Sequence, residues 1–216
     1  MMPLSTWLAF LVVSLATAFS PGPGVMLALS TSGSAGPRRI LYSSAGNGLG
    51  VFAVATVAVT GLGLLLQTSA IAFGMLKAAG AGYLIYLGLR QWFRKPAAPA
   101  AAVLPAKASG NGGLFLRGLL VALTNPKSVL FFTAIFPQFM PGPRLDAARF
   151  FLLTSTFVAC TLLAHVVYVA LAVKLGKGMR LAGRRRALDL VGGLIFVVLG
   201  CFMLTLSAQP APGARR

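Results

Sequence analysis

The sequence predicts an all-α membrane protein with six transmembrane helices. Of its 216 residues, 57% are hydrophobic and 10% are charged, whereas a soluble domain carries about 25% charged residues. A spanning helix needs about 20 apolar residues, so this length accommodates six spans with short loops and excludes a large soluble domain. The apolar runs place the spans at 4–33, 40–66, 68–89, 114–139, 147–173 and 188–206.

Basic residues between these runs predict the orientation of the chain. The net charge is +17, but the basic residues alternate with apolar stretches, which indicates membrane topology and not nucleic-acid binding. The positive-inside rule makes the richer side cytoplasmic and places both termini outside. Thirteen basic residues lie on the cytoplasmic side: Arg38, Arg39, Arg90, Arg94, Lys95, Lys107, Arg117, Lys174, Lys177, Arg180, Arg184, Arg185 and Arg186.

The first span is interrupted by Ser20, Pro21, Gly22, Pro23 and Gly24. Each proline removes a backbone donor and disfavours helical geometry in the residue before it. Freed backbone groups are tolerated at membrane depth only inside protein or beside a water-filled cavity. The break is therefore either a packing kink or part of a binding site. No Lys or Arg precedes the apolar run, which argues against a signal peptide.

The sequence predicts a second break, in span four, that acts together with the first. Thr124, Asn125 and Pro126 interrupt the span, and Asn125 is expected to cap the helix that Pro126 begins. The next residue, Lys127, either attracts a substrate carboxylate or snorkels to the membrane surface. The ends of two broken helices would offer amides for a carboxylate and carbonyls for an ammonium. An amino acid carries both groups.

An internal repeat relates the two halves. Leu76 to Gly88 and Leu188 to Gly200 share the pattern L-x-x-x-G-x₆-L-G, and the two proline breaks also correspond. Three spans per half predict a 3+3 inverted repeat, which is a common plan of transporters. The predicted units are a first repeat (1–94), a mobile cytoplasmic linker (95–113), a second repeat (114–208) and a disordered tail (209–216).

Two polar residues inside spans are further candidates. Asn47 lies beside Gly46-x-x-x-Gly50, a small-residue face that favours close helix packing, and either bonds the broken backbone or lines the pathway. His165, in span five, is the sole histidine. It is either a proton carrier or a neutral side chain satisfied by one partner. Lys77 and Asp189 occupy matching repeat positions near span ends, where an interfacial role suffices.

The supply of reactive side chains excludes most enzymes. The chain has two acidic residues, one histidine and two cysteines, so catalytic triads, paired carboxylates and metal sites lack their components and no cofactor is expected. Cys160 and Cys201 leave open a membrane thiol-disulfide carrier, although two buried structural thiols fit apolar surroundings better. A membrane scaffold would leave the paired breaks unexplained.

Three motifs resemble the lysine exporter (LysE/RhtB) superfamily, in particular its homoserine/threonine efflux branch. They are Ser20-Pro21-Gly22-Pro23-Gly24, the run Leu76–Gly88, and Leu123–Ser128 followed by Phe136-Pro137-Gln138-Phe139. The resemblance implies a multi-pass bacterial inner-membrane exporter of amino acids or derivatives such as homoserine, its lactone or threonine. It also implies coupling to the proton-motive force. The partners expected are a small amino-acid-like substrate and membrane lipid, and homo-oligomer formation stays open.

The sequence departs from that family at two positions. Family members often carry an acidic or histidine residue after the region of Gly46 and Gly50, and an acidic one in the fifth span. Here these neighbourhoods read Val51–Val54 and Cys160-Thr161. Proton coupling would then use His165 or another route, or the protein would be a facilitator. The residues expected to shape the site are Ser20, Pro21, Gly22, Pro23, Gly24, Asn125 and Pro126, with Asn47 and Lys127 beside them.

Overall fold

Helices account for nearly all of the part of the chain that the structure describes. The computed structural model describes residues 2–68, 70–93, 110–140, 146–175 and, further on, 190, 193, 194, 196–198, 200, 201 and 204. Within these ranges there is no β-strand. The α-helices are α1 (Leu4–Phe19), α2 (Pro23–Ala35), α3 (Ile40–Thr68), α4 (Ala70–Phe93), α5 (Asn111–Leu123), α6 (Pro126–Leu130) and α7 (Ala147–Leu175). The described residues between 190 and 204 are also helical.

The first predicted span is two helices that meet at an angle. The axes of α1 and α2 differ by 52°. The helix α1 ends at Phe19, and α2 begins at Pro23 after Gly22 in extended conformation. Pro23 suits this position, because the first residue of a helix needs no amide donor and a proline already has helical φ. After α2, a short 3₁₀ turn (Pro37–Arg39) leads into α3.

The fourth predicted span is broken in the same way. An angle of 48° separates α5 from the segment that starts at Pro126. That segment begins as α6 and continues as one π-helical turn (Phe131–Ile135) and one 3₁₀ turn (Phe136–Phe139). A π-helical turn inside a helix often marks a functional region. The helix α5 starts at Asn111, three residues before the predicted start of span four.

The two helices α3 and α5 pack backbone to backbone through glycines. A Cβ atom on Gly46 would overlap the carbonyl oxygen of Phe115, and one on Gly118 would overlap that of Ser43. A Cβ on Gly50 would lie 2.8 Å from the carbonyl oxygen of Leu119. The predicted small-residue face of span two is therefore a contact between α3 and α5, as this kind of motif favours.

Aromatic side chains fill the core between α1, the π-helical turn and α7. The ring of Phe10 packs edge-on against Phe131, at a centroid distance of 5.9 Å, and Phe131 lies 4.2 Å from Phe157 of α7. Phe132 and Phe136 are also fully buried in this cluster. Edge-to-face contacts of this kind are favoured over stacked rings. The cluster holds the segment after the second break against the first half of the molecule.

The helix α4 packs antiparallel against the described residues between 190 and 204. A Cβ on Gly88 would lie 2.5 Å from the carbonyl oxygen of Gly193. Nε1 of Trp92 donates a 2.9 Å hydrogen bond to the carbonyl oxygen of Leu190, and Gly200 approaches the earlier part of α4. Glycines again allow close approach of two helices.

Two stretches, Pro37–Gly61 and Ala147–Lys174, are long and apolar enough to cross a membrane as single helices. Each of the two bent pairs also meets this criterion when it is taken as one span, so the described residues contain up to four candidate spans. The predicted spans 40–66 and 147–173 agree with α3 and α7 to within two residues at each end. Residues 95–109, Asp189, the tail 209–216 and the side chain of Lys77 lie outside what is described.

The two cysteines differ in exposure. Cys160 is buried on α7, but Cys201 is exposed. The prediction that both thiols are buried is therefore wrong for Cys201, because the side of the last helix that carries it faces away from the described neighbours. Both are free thiols.

Candidate functional site

The two prolines of the first break leave specific carbonyls of α1 without helical donors. In an α-helix the carbonyl of residue i accepts from the amide of residue i+4. The partner of Thr17 would be Pro21 and the partner of Phe19 would be Pro23, and neither proline has an N–H. The last regular bond of α1 runs from the amide of Ser20 to the carbonyl oxygen of Ala16, at 3.1 Å.

Side chains from the other half of the molecule satisfy these carbonyls. Nζ of Lys127 donates to the carbonyl oxygen of Thr17 at 2.7 Å and to that of Ser20 at 2.6 Å. The hydroxyl of Tyr168, on α7, donates to the carbonyl oxygen of Phe19 at 2.7 Å. Hydrogen bonds from a charged donor are roughly twice as strong as neutral ones. The end of α1 is thus an acceptor cluster that holds an ammonium group.

The position of Lys127 excludes one of its two predicted roles. Its ammonium lies against the broken end of α1, and a Cβ on Gly22 would be 3.3 Å from Nζ. Snorkelling to the membrane surface is therefore wrong. The sequence left snorkelling open because Lys127 directly follows the residue that begins a helix, Pro126. Only the tertiary structure brings the end of α1 across to it.

Asn125 caps the helix after the second break. Its Oδ1 accepts a 3.1 Å hydrogen bond from the amide of Lys127, while its carbonyl oxygen accepts from the amide of Val129. This confirms the predicted cap. Pro126 lacks an amide donor, and the carbonyl oxygen of Ala122 accepts instead from the amide of Asn125, at 3.2 Å. Asn125 itself is buried.

On the other side of the first break, donors converge at the start of α2. The first helical bond of α2 runs from the amide of Met26 to the carbonyl of Gly22, so the amides of Gly24 and Val25 precede it and have no intrahelical acceptor. A Cβ on Gly24 would lie 3.1 Å from Nε2 of His165 and 3.3 Å from Nδ2 of Asn47. The absence of a side chain at Gly24 leaves room for both polar groups beside this part of the chain.

His165 is buried with one ring nitrogen engaged. Its Nδ1 lies 2.9 Å from Oγ of Ser44, while Nε2 has no hydrogen-bond partner among the described residues. The side chain is only 2% exposed. A buried polar atom without a partner is costly and is common where a ligand or water binds. Nε2 donates if Ser44 donates to Nδ1, and accepts if Nδ1 carries the proton.

The break therefore separates two kinds of polar group. Carbonyl oxygens, occupied by Lys127, lie at the end of α1, and backbone amides with Asn47 and His165 lie at the start of α2. The structure brings together the first break, Asn47, Lys127 and His165, while Asn125 and Pro126 position Lys127. In the described ranges no cluster of three metal-ligating side chains occurs. The one described carboxylate, Asp146, accepts from the amide of Arg149 at the start of α7.

Sequence reasoning missed four residues of this region: Thr17, Phe19, Ser44 and Tyr168. The carbonyls of Thr17 and Phe19 could have been found by counting four residues back from each proline. Tyr168 lies three residues after His165 on α7, so the two share a helix face. Ser44 precedes Asn47 by the same interval on α3.

Comparison with known proteins identifies the family. The model of the LysE type translocator family matches residues 15–207. The chain belongs to this family. It is similar to the homoserine/homoserine lactone efflux protein of Salmonella typhi, with 34% identity over 204 residues that cover 94% of this chain and 97% of that relative. It is 28% identical to the leucine efflux protein of Salmonella choleraesuis over 95% of this chain and 97% of the relative.

A third relative is an uncharacterized membrane protein of Vibrio cholerae, 32% identical over 96% of this chain and all of that protein. No solved structure matches the chain at a comparable significance. The resemblance to the lysine exporter superfamily is thereby confirmed. As a LysE family member, the protein is a multi-pass exporter of the bacterial inner membrane and not an enzyme.

Proposed function

We propose that this LysE family exporter moves amino acids or their derivatives, such as homoserine, homoserine lactone or threonine, out of the cell by alternating access. The observation that carries the proposal is the pairing of acceptors and donors at the first break. Carbonyls of Thr17 and Ser20 suit an ammonium group, and the amides of Gly24 and Val25 suit a carboxylate or carbonyl. A small amino compound that carries both groups would bridge the break.

The chemistry of the relatives' named substrates supports this arrangement. Homoserine and its lactone share an ammonium and a carbonyl group, but only homoserine has a free carboxylate. A site that accepts both would rely on the ammonium and on neutral donors for the carbonyl, rather than on a fixed cation for a carboxylate. The Asn47 amide and the amides of α2 are such neutral donors.

A 3+3 inverted repeat is part of this proposal, and the contacts of α4 support it. An offset of 112 residues relates the two copies of the L-x-x-x-G-x₆-L-G pattern. Gly88 approaches Gly193 and Val197, whereas Gly200 approaches Ala81 and Ile85. A shift of 112 residues pairs Ala81 with Gly193, Ile85 with Val197 and Gly88 with Gly200. This shift converts the contacts of Gly88 into those of Gly200, and the reverse. Antiparallel helices with exchanged contacts are what a two-fold axis in the membrane plane produces.

His165 is the proposed site of proton coupling. An unperturbed histidine changes charge near neutral pH, and Nε2 of His165 lies beside Gly24, at the donor side of the break. A proton there would change the hydrogen-bond capacity of the site itself. This position would replace the acidic groups that the family often carries in spans two and five.

The alternative, a thiol-disulfide carrier, gains no support from the two cysteines. Cys160 lies in the core of α7, packed with Ala164 and Tyr168, and Cys201 is exposed on another element. Export of a different small solute, such as leucine, would use the same backbone groups, because the break contacts only the part common to all amino acids.

Export assays in a host that lacks its own exporters test the proposal. Cells that overproduce the protein are challenged with homoserine, homoserine lactone, threonine and leucine, and efflux of the preloaded compound is measured. N-acetylhomoserine lactone, which lacks the ammonium, is the matched control. We expect protection and faster efflux for at least one free amino compound and none for the acetylated one. The proposal would be contradicted if, for every compound, cells that overproduce the protein and cells with an empty vector showed equal efflux.

A further inference from the structure

We propose that the carbonyl oxygens of Thr17 and Ser20 form a binding site for a primary ammonium group, which Lys127 occupies until the substrate's ammonium displaces it. This inference rests on the proposed function and deepens it, because it names the subsite and its occupant in the substrate-free protein. Lys127 then acts as a tethered substitute for the substrate's amino group.

The geometry at Nζ of Lys127 is that of a bound cation. Two carbonyl oxygens accept from Nζ at 2.7 and 2.6 Å, from the same broken turn of α1. Both of these acceptors are backbone carbonyl oxygens, which recognise charge and N–H donors. An ammonium has three N–H donors and no acceptor, and the α-ammonium of an amino acid offers the same set.

The prolines explain why an empty site is energetically unfavourable. Pro21 cannot donate to the carbonyl of Thr17, so an empty site would leave that carbonyl unpaired inside the protein, which is costly. A carrier that releases its substrate and reorients would meet this cost in every cycle. Lys127 removes it, because its ammonium returns when the substrate's ammonium leaves.

The side chain of Lys127 is long and flexible enough for its ammonium to move away from the two carbonyl oxygens. Four methylene groups separate Nζ from the backbone, and Lys127 is the second residue of α6, directly after the second break. Displacement needs only rotation of its side chain, whereas Asn125 and Pro126 keep the backbone in place. The contrasting role, in which Lys127 binds a substrate carboxylate, would require Nζ to face the donor side at Gly24 and not the carbonyls.

Chemical rescue tests the ammonium site without any transport substrate. In Lys127→Ala the missing part of the side chain corresponds to propylammonium. Thermal unfolding of the purified full-length protein in detergent is followed with propylammonium, with 1-propanol, which has no charge, and with tetramethylammonium, which has no N–H. Lys174→Ala, which removes an identical but exposed side chain at the end of α7, is the matched control.

We expect propylammonium to raise the unfolding temperature of Lys127→Ala in a saturable way, as for any ligand that binds the folded state. The wild type and Lys174→Ala should show no such rise, nor should 1-propanol or tetramethylammonium produce one. An equal response of Lys127→Ala and Lys174→Ala, or an equal effect of 1-propanol, would overturn the proposal.

Substrate affinity tests displacement in a variant that keeps the volume of the side chain. In Lys127→Met no ammonium competes, so homoserine lactone should bind about tenfold more tightly if the site is open in a tenth of wild-type molecules. Unchanged or weaker binding of the lactone would overturn displacement. If Lys127 instead bound the substrate carboxylate, Lys127→Met would weaken the binding of homoserine and not that of its lactone. If propylammonium rescues Lys127→Ala but neither homoserine, its lactone, threonine nor leucine binds any form, the ammonium site stands and the proposed substrate class fails.

Discussion

At the scale of single residues, the first break depends on prolines placed four residues after two carbonyls. Pro21 and Pro23 remove the amides that would bond Thr17 and Phe19, and Lys127 and Tyr168 supply donors from distant segments. Each net hydrogen bond contributes about 1 kcal/mol, and a bond to a charged group about 1.5–3 kcal/mol. The break is thus stabilised by tertiary contacts and not by local sequence.

Replacing Pro21 should close the acceptor cluster. In Pro21→Ala the new amide can donate to the carbonyl of Thr17 and extend α1, which competes with Lys127 and, under the proposal, with substrate. We expect export in the efflux assay to fall at least about tenfold, since small misplacements of binding groups have effects of that size or larger. Pro3→Ala, at the start of α1, is the control and should export normally. Normal export by Pro21→Ala would show that the break is a packing kink.

His165 carries a separate prediction about pH. Because its Nε2 has no described partner and lies at Gly24, His165→Ala should retain substrate exchange in proteoliposomes but lose acceleration by an imposed pH gradient. Ser44→Ala, which keeps the titrating ring and removes the contact to Nδ1, should still respond to the gradient. An undiminished response in His165→Ala would exclude the proton role.

The sequence allowed part of this site to be predicted. Both breaks and the Asn125 cap follow from local rules for proline and helix N-termini. The position of Lys127 and the contribution of Tyr168 do not, because they depend on which segments the fold brings to the end of α1. The same holds for Ser44, whose partner His165 is 121 positions away in the chain.

At the scale of helices, the contact between α3 and α5 sets where the second break lies. Gly46 and Gly118 let these helices touch through their backbones. Asn47 lies next to this contact, and its backbone nitrogen is close to Gly118. The limits of α3 and α7 were predictable because apolar runs mark them, and the glycine face of span two was recognised. Its partner, α5, was not, since a small-residue face indicates close packing without naming the neighbour.

A methyl group at this contact should be harmful. In Gly46→Ala the new Cβ would overlap the carbonyl of Phe115, so α3 and α5 must separate. Overpacking typically costs about 1–3 kcal/mol, and we expect a lower unfolding temperature and loss of export. Gly61→Ala on the same helix is the control, because nothing lies within 4 Å of its Cβ position. Equal stability of the two variants would contradict this description of the contact.

At the scale of the whole molecule, the two halves contact each other through their breaks and through α4. Lys127, after the second break, reaches the first break, and the exchanged glycine contacts of α4 fit a two-fold relation. In the sequence the proposed repeat is only a weak pattern of Leu, Gly and Pro, since apolar sequences match easily by chance. The contacts add the antiparallel direction of α4 and its partner, which a sequence pattern cannot supply.

The predicted orientation can be tested by labelling. Single cysteines are introduced as Leu4→Cys or Gly110→Cys, and both of these positions are exposed. The background is Cys160→Ser/Cys201→Ser. We expect a membrane-impermeant maleimide to label Leu4→Cys in intact spheroplasts and Gly110→Cys only after lysis, because basic loops stay in the cytoplasm. The reverse labelling pattern would show that the orientation is opposite to the predicted one. Export by the cysteine-free background would also exclude a thiol-disulfide mechanism.

The central claim is that substrate bridges the two sides of the first break. A crystal structure of the full chain with the best substrate from the efflux panel would test it most directly. We expect the ligand's ammonium within hydrogen-bond distance of the carbonyl oxygens of Thr17 and Ser20, its carbonyl at Gly24 and Asn47, and Nζ of Lys127 moved away. A ligand bound elsewhere, with Lys127 still on those two oxygens, would contradict it.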